Sequence, residues 1–268
     1  MLISTNIIRD QDLDFDYIVT DNAQRIFTEL VEPNKTPGNC YNLIGSYGTG
    51  KSSFLVALEQ SISGKKAFFT SKKKNKAIGF IKLIGKPQSI RHAFTEALDM
   101  NPKSDIEAIQ KELSIRSEKH GRLMILVDEL GKFIEYALNN NPKVETYVFQ
   151  RLAEFINDPK SNIQWIGTLH QNFDSYASNV SSADSMEWEK VSGRFLTLNF
   201  NEPPTTLLKL ISSRLHDVEA RGKSKSIQSA NRIIAGAKLI PDAFIQLAQD
   251  DIKSIAPLLP ELMGGSAD

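Results

Sequence analysis

Three glycines, a lysine and several hydroxyl side chains fill one short turn, "GSYGTGKSS" at Gly45–Ser53, directly after the apolar run "CYNLI" at Cys40–Ile44. Glycine in an ordered element loses more backbone entropy than alanine would, so such density needs a cause, and close approach of another group to the backbone supplies one. The segment fits G-x-x-x-x-G-K-[ST] at Gly45, Gly50, Lys51 and Ser52, and the helical pattern "FLVALEQSI" follows it. Strand, loop and helix in that order are the context in which this spacing cradles phosphate. The loop residues Gly45, Ser46, Tyr47, Gly48, Thr49, Gly50, Lys51, Ser52 and Ser53 would surround phosphate oxygens with amides and the free helix N-terminus. Lys51 would contact the β- and γ-phosphates, and Ser52 would ligate Mg²⁺. The plainer reading, a glycine-rich turn without a ligand, leaves the lysine and the hydroxyl unexplained.

A second segment, "RLMILVDELGKF", runs through five apolar residues, Leu123–Val127, into Asp128 and Glu129. A buried parallel strand that delivers a carboxylate to its C-terminal end would set Asp128 beside the Mg²⁺ held by Ser52. Glu129, one residue on, is then placed to orient or deprotonate an attacking water. Asp128 can also cap the helix that begins near Leu130, and the two roles are compatible.

Further apolar runs at Ile78–Ile84, Ile163–Leu169 and Phe195–Phe200 complete a set of five predicted strands, each too apolar for a sheet with one wet face. Helical stripes separate them. Ser89 is expected to cap Ile90, Ala93, Phe94, Ala97 and Leu98, and Ser104 to cap Ile106, Ile109 and Leu113, with Gly121 past the end. Phe133, Ile134, Ala137 and Leu138 form a third stripe; Val144, Val148, Leu152, Phe155 and Ile156 form a fourth, closed by "NDP" at Asn157–Pro159. Strands alternating with helices imply an α/β fold, a three-layer core around a five-stranded, mostly parallel sheet. Prolines in "NEPPTT", Asn201–Thr206, mark a boundary, after which only helical patterns follow, so residues 1–201 are read as the core and 202–268 as a small helical domain. The ending "LMGGSAD" reads as a flexible end or as the cut edge of something longer.

Bulk properties bound the partners. The 32 basic and 32 acidic residues cancel, so no global field recruits nucleic acid or an anionic membrane. The single cysteine, Cys40, fits a reducing compartment. No signal-like start or long apolar span is present, and a cytoplasmic protein without membrane partners is expected. The lysine-rich "KKKNK", Lys72–Lys76, is a solvated loop or a contact for nucleic-acid phosphates. Neither an [NT]-K-x-D guanine element nor a serine-glycine-glycine signature follows the phosphate loop, which favours ATP.

The layout resembles an AAA+ P-loop ATPase module over essentially the whole chain: phosphate loop, Asp-Glu after the third strand, a polar residue ending the fourth, an arginine before the fifth, and a helical lid. The resemblance implies ATP and Mg²⁺ as cofactors. It makes Ile18 and Val19 in "FDYIVTDNAQRIF" adenine-pocket candidates, though ordinary core is an equal reading. It implies a sensor in "WIGTLHQNF", with His170 first and Thr168 and Gln171 beside it. It also implies that Arg194, before the fifth strand in "EWEKVSGRF", reaches a neighbouring subunit's nucleotide in a homo-oligomer; pairing with Glu187 or Glu189 is the alternative. More narrowly, "YNLIGSYGTGKSSFL", "DELGKFIEYA" and "TLHQNFDSYA" look like segments of large bacterial anti-phage ATPases of the bacteriophage-exclusion type, which implies defence-system partners. The lid's usual second-sensor arginine has no counterpart in "IPDAFIQLAQDD", leaving Arg214 as a weak substitute. A nucleotide-dependent switch with little turnover is therefore the second hypothesis. A helicase motor, suggested by "DELG", needs another motor domain, for which too few residues follow Asn201.

Overall fold

Strands β1 (Cys40–Ile44), β2 (Gly79–Ile84), β3 (Leu123–Asp128), β4 (Ile163–Leu169) and β5 (Leu196–Asn199) form one sheet in the order β2-β3-β4-β1-β5. All of its strand pairings are parallel. The computed structural model describes residues 5–12, 17–31, 38–71, 78–176, 182–203 and 206. Met1–Asn201 forms one compact unit. The helical lid expected over 202–268, the lysine run 72–76, Arg214 and the stretch 240–251 lie outside the described residues, apart from Glu202, Pro203 and Thr206.

Both faces of the inner strands β1, β3 and β4 are covered, which is why those strands read as largely apolar, whereas the edge strands β2 and β5 are partly exposed. On one face, Tyr41, Leu43, Met124, Leu126, Ile166 and Leu198 pack against α1 (Asp21–Val31) and α2 (Lys51–Ile62). The other face, with Cys40, Ile81, Leu83, Ile125, Val127 and Trp165, packs against α3 (Ile90–Ala97), α4 (Ile106–His120), α5 (Leu130–Asn139), α6 (Pro142–Ile156) and α8 (Ser182–Ser192). A short α7 spans Phe173–Tyr176. Burial removes the Cys40 thiol from water and pushes its pKa up. Among the described residues, no helix is long and apolar enough to cross a membrane.

Chain direction creates the crevice. After β1 the chain enters α2 on one face, whereas after β4 it enters α7 and α8 on the other. Adjacent parallel strands whose connections diverge to opposite faces leave an opening beyond their carboxyl ends.

Local chemistry departs from expectation at three points. Asp105, not Ser104, caps α4, accepting a bond from the Ala108 amide at 2.8 Å. Ser89 precedes α3 but donates its hydroxyl to Glu145 Oε2 at 2.9 Å instead of capping. Val144 faces outward at 53% exposure, because Pro142 starts α6 one turn before the helix meets the core. Gly121 does end α4 in the left-handed region, at φ 73°.

Leu126 lies fully buried in the central β3. Leu126→Ala is expected to cost about 2–5 kcal/mol, seen as a lower urea midpoint; an unchanged midpoint would contradict the packing described.

Candidate functional site

The loop Gly45–Gly50 leaves the C-terminal end of β1 and turns directly into α2. Its position is fixed from both neighbouring strands. The Gly45 amide donates to the Leu169 carbonyl at 3.1 Å, and the Phe200 amide donates to the Ile44 carbonyl at 2.7 Å. Asn201 Oδ1 accepts the Ser46 amide at 2.9 Å, while Thr49 Oγ1 donates to the Ser46 carbonyl at 2.9 Å.

Gly48 and Gly50 have φ of 78° and 87°, a region that L side chains rarely adopt, and no atom lies within 4 Å of where a Cβ would stand. The glycines thus permit the turn and keep its mouth open. Gly50 caps α2 with no side-chain hydrogen bond, and the first helical bond runs from the Phe54 amide to the Gly50 carbonyl at 2.8 Å. The amides of the first turn have no partner inside the helix, so they present positive charge to the mouth.

Lys51 is only 5% exposed. Its ammonium donates to the Gly45 carbonyl at 2.5 Å and the Ser46 carbonyl at 2.8 Å, with Thr49 Oγ1 at 3.5 Å. Burial pushes its pKa down, and the Asp128 carboxylate pulls it back up. Ser52, the next residue, is half-buried; the Ser53 hydroxyl is shared with Thr5 Oγ1 at 2.9 Å.

Asp128, also 5% exposed, ends β3. Thr168 Oγ1 donates to Asp128 Oδ1 at 2.7 Å, and the Glu129 amide lies 3.1 Å from the same oxygen. Both bonds use Oδ1. Of the three candidates at the end of β4, Thr168 is therefore the one bonded to the acid. His170 instead stacks on Tyr47, with ring centroids 3.5 Å apart and planes 20° apart, and Gln171 is exposed. His170 still belongs to the cluster. Burial and then Lys51 hold its pKa below the usual value, while Glu129 and Asp128 oppose them, and its Nδ1 is buried without a partner.

Glu129 adopts φ 53° and ψ 42°, which costs a non-glycine residue about 1–2 kcal/mol. Its neighbours enforce this. The Glu129 amide donates to Thr168 Oγ1 at 2.9 Å, and the Gly85 amide donates to the Asp128 carbonyl at 2.8 Å. A Cβ on Gly85 would stand 2.0 Å from the Glu129 carbonyl oxygen, so only glycine allows this approach. The Glu129 carboxylate forms a close ion pair with Lys132 in the first turn of α5. The sequence reading passed over Lys132, although a spacing of three on a helix start could have flagged it. Asn201 and Tyr176 had no local signal. The Tyr176 phenol meets the His170 backbone and packs where a Cβ on Gly131 would stand 2.4 Å away.

Arg194 lies at the other end of the strands, just before β5. Asn157 Nδ2 donates to its carbonyl at 2.8 Å, and Asn157 Oδ1 accepts the amides of Asn39 and Cys40 where β1 begins. The guanidinium pairs with Glu154 at 2.5 Å and bonds the Lys190 carbonyl; Glu187, one of the partners expected for it, pairs with Lys190. Ile18 is 38% exposed, and Val19 packs against the α1–α2 core, just before Thr20 Oγ1 accepts the Ala23 amide at 3.0 Å. Among the described residues no group of three His, Cys, Asp or Glu could hold a metal. Ser52 at the start of α2 and Asp128 at the end of β3 are the hard oxygen donors that a divalent ion bound with phosphate would require.

No protein-family model matches the chain, and no curated protein matches its sequence. Solved structures resemble it distantly. AMPPCP-bound DnaA from Aquifex aeolicus is 14% identical, with 92% of this chain aligned to 67% of that one at a TM-score of 0.46. ORC2 of Aeropyrum pernix, in ADPNP–ADP complexes, is 11% identical over 97% of this chain and 68% of that one, at 0.49. A Walker-type ATPase of Pyrococcus abyssi is 13% identical over 92% and 68%, at 0.44. The chain spans about two thirds of the length of these neighbours. Likeness at this level carries no residue role across.

Thr168→Val keeps the shape and removes the donor to a buried carboxylate. It is expected to lower stability by about 1–3 kcal/mol, with Thr168→Ser close to the parent; equal urea midpoints for Val and parent would show that the bond is not stabilising.

Proposed function

We propose that the chain is an AAA+-type ATPase module that binds and hydrolyses Mg-ATP. One observation carries the reading: an α-helix with no side-chain cap opens behind two left-handed glycines at the end of β1, and a buried carboxylate held by Thr168 of the adjacent β4 ends β3 on the same side of the sheet. Uncapped amides and Lys51 would seat the phosphates. Mg²⁺, held by Ser52 and Asp128, would supply charge neutralisation at the transferring phosphoryl group. Glu129 would take the proton of the attacking water, Thr168 would hold Asp128 in place, and His170 would line the same edge. Ile18 and Val19 are proposed to bound the adenine.

Arg194 cannot serve its own site from the opposite sheet edge. We place it against the nucleotide of a second copy, where it would stabilise transition-state charge. The segments that resemble phage-defence ATPases favour work inside a bacterial defence or DNA-associated complex, with defence partners and nucleic acid as candidate ligands. A switch with little turnover is the second reading, favoured by the pairing of Glu129 with Lys132.

Lys51→Ala is expected to abolish nucleotide binding, whereas Glu129→Gln should bind ATP and lose about 10²–10⁴-fold in turnover. Unchanged phosphate release by Glu129→Gln would remove Glu129 from the chemistry. Phosphate release should rise more than linearly with protein concentration, and adding duplex DNA tests coupling to nucleic acid. Arg194→Ala is expected to lose about 10³-fold or more while retaining binding. Mixing it with Glu129→Gln should restore part of the activity, since each contributes what the other lacks; no restoration would exclude action between subunits.

A further inference from the structure

Lys132 is a cation at this strand edge to which the proposed reaction gives no task. It belongs to the first turn of α5, directly after the Asp128–Glu129 pair. Its ammonium pairs with Glu129, and the nearby Asp128 carboxylate adds to the attraction. His170 in turn feels Lys132 together with Lys51. The lysine is therefore held by the carboxylate that follows β3, on the side of the sheet where the loop after β1 also begins.

The backbone around this pair is locked. Thr168 Oγ1 holds the Glu129 amide, the Gly85 amide holds the Asp128 carbonyl, and no room remains between Gly85 and the Glu129 carbonyl. Any change at Glu129 must then occur in side chains. The lysine stem provides it, because an ammonium on four methylenes has three donors and can exchange partners without backbone movement.

We propose that Lys132 is a second cationic arm of the phosphate site, holding the Glu129 carboxylate at rest and passing to the terminal phosphate of a bound nucleoside triphosphate. The proposal rests on the phosphate-loop reading. Its energetic direction follows from solvent. Side chains of Lys132 and Glu129 are 51% and 38% exposed, so their pairing is screened and weak. A charge-assisted bond to a phosphate oxygen beside buried Lys51 and Asp128 is the stronger partner. A triphosphate also adds negative charge next to two carboxylates, and Arg194 at the far edge cannot offset it within one chain. Transfer of Lys132 would meet that charge and release Glu129 to the attacking water in one exchange. A diphosphate lacks the terminal group and would leave the pair closed.

The test is calorimetric titration of the full chain with AMPPNP and with ADP, each with Mg²⁺, on the parent, Lys132→Met, Lys132→Arg, Glu129→Gln and the Lys132→Met/Glu129→Gln double variant. Lys132→Met is expected to weaken AMPPNP by about tenfold to a hundredfold and ADP by less than about twofold, with Lys132→Arg near the parent. Glu129→Gln should tighten AMPPNP alone, and that gain should vanish in the double variant. A Lys132→Met that leaves the preference for AMPPNP intact, or weakens both nucleotides equally, overturns the proposal, as does a Glu129→Gln gain that survives in the double variant. Lys51→Ala separates the two levels. If it abolishes binding while Lys132→Met keeps the preference, only the role of Lys132 fails; if Lys51→Ala binds AMPPNP like the parent, the phosphate-loop reading fails and takes Lys132 with it.

Discussion

A carboxylate almost out of water at the end of the most apolar strand sets the terms for its surroundings. Burying Asp128 without compensation would cost several kcal/mol, about the whole margin of a small domain. The fold compensates it from three directions: the Thr168 hydroxyl on β4, the Glu129 amide at the start of α5, and the charge of Lys51 on α2. The hydroxyl and the amide draw the ends of β3 and β4 and the start of α5 to one point, and the charge of Lys51 acts on it from α2. The parallel sheet aligns the strand ends, and the acid decides which side chains meet there.

The opposite edge carries the complementary design. Arg194 is held by Glu154, and Asn157 ties its backbone to the start of β1. Gln150 donates to the same Glu154 oxygen at 2.9 Å, and these bonds hold that carboxyl below its usual pKa range. An arginine so restrained is presented at a fixed place on the surface. One sheet thus exposes an uncapped helix start behind glycines at one end and a braced cation at the other.

Most of the architecture was legible because its signals are local. Apolar runs predicted all five strands within a residue or two, since the inner strands β1, β3 and β4 are dry on both faces, while β2 and β5 carry apolar residues at alternate positions. The loop was legible because G-x-x-x-x-G-K-[ST] after a strand has few other uses. Side-chain partnerships were harder. Whether Thr168 or His170 meets Asp128 depends on strand register: Val127 pairs with Gly167, so Thr168 stands level with Asp128 and His170 lies past the strand. The choice of Asp105 over Ser104 as cap is a shift of one residue, within the usual uncertainty of a helix end. Glu154 as the partner of Arg194, and Asn201 as the acceptor of the Ser46 amide, join residues far apart in sequence, and no periodic pattern encodes such pairs.

The folded-back Lys51 has one more implication. Its ammonium holds two carbonyls of its own loop, so the loop keeps its curvature through internal bonds. Ordering a loop of this kind from a floppy state would lose about 1–2 kcal/mol of backbone entropy per residue at each encounter. Here that order is present beforehand, and under the proposed function an arriving anion would have only to win a lysine away from two oxygens. Capture would then be a swap of partners on a preformed template.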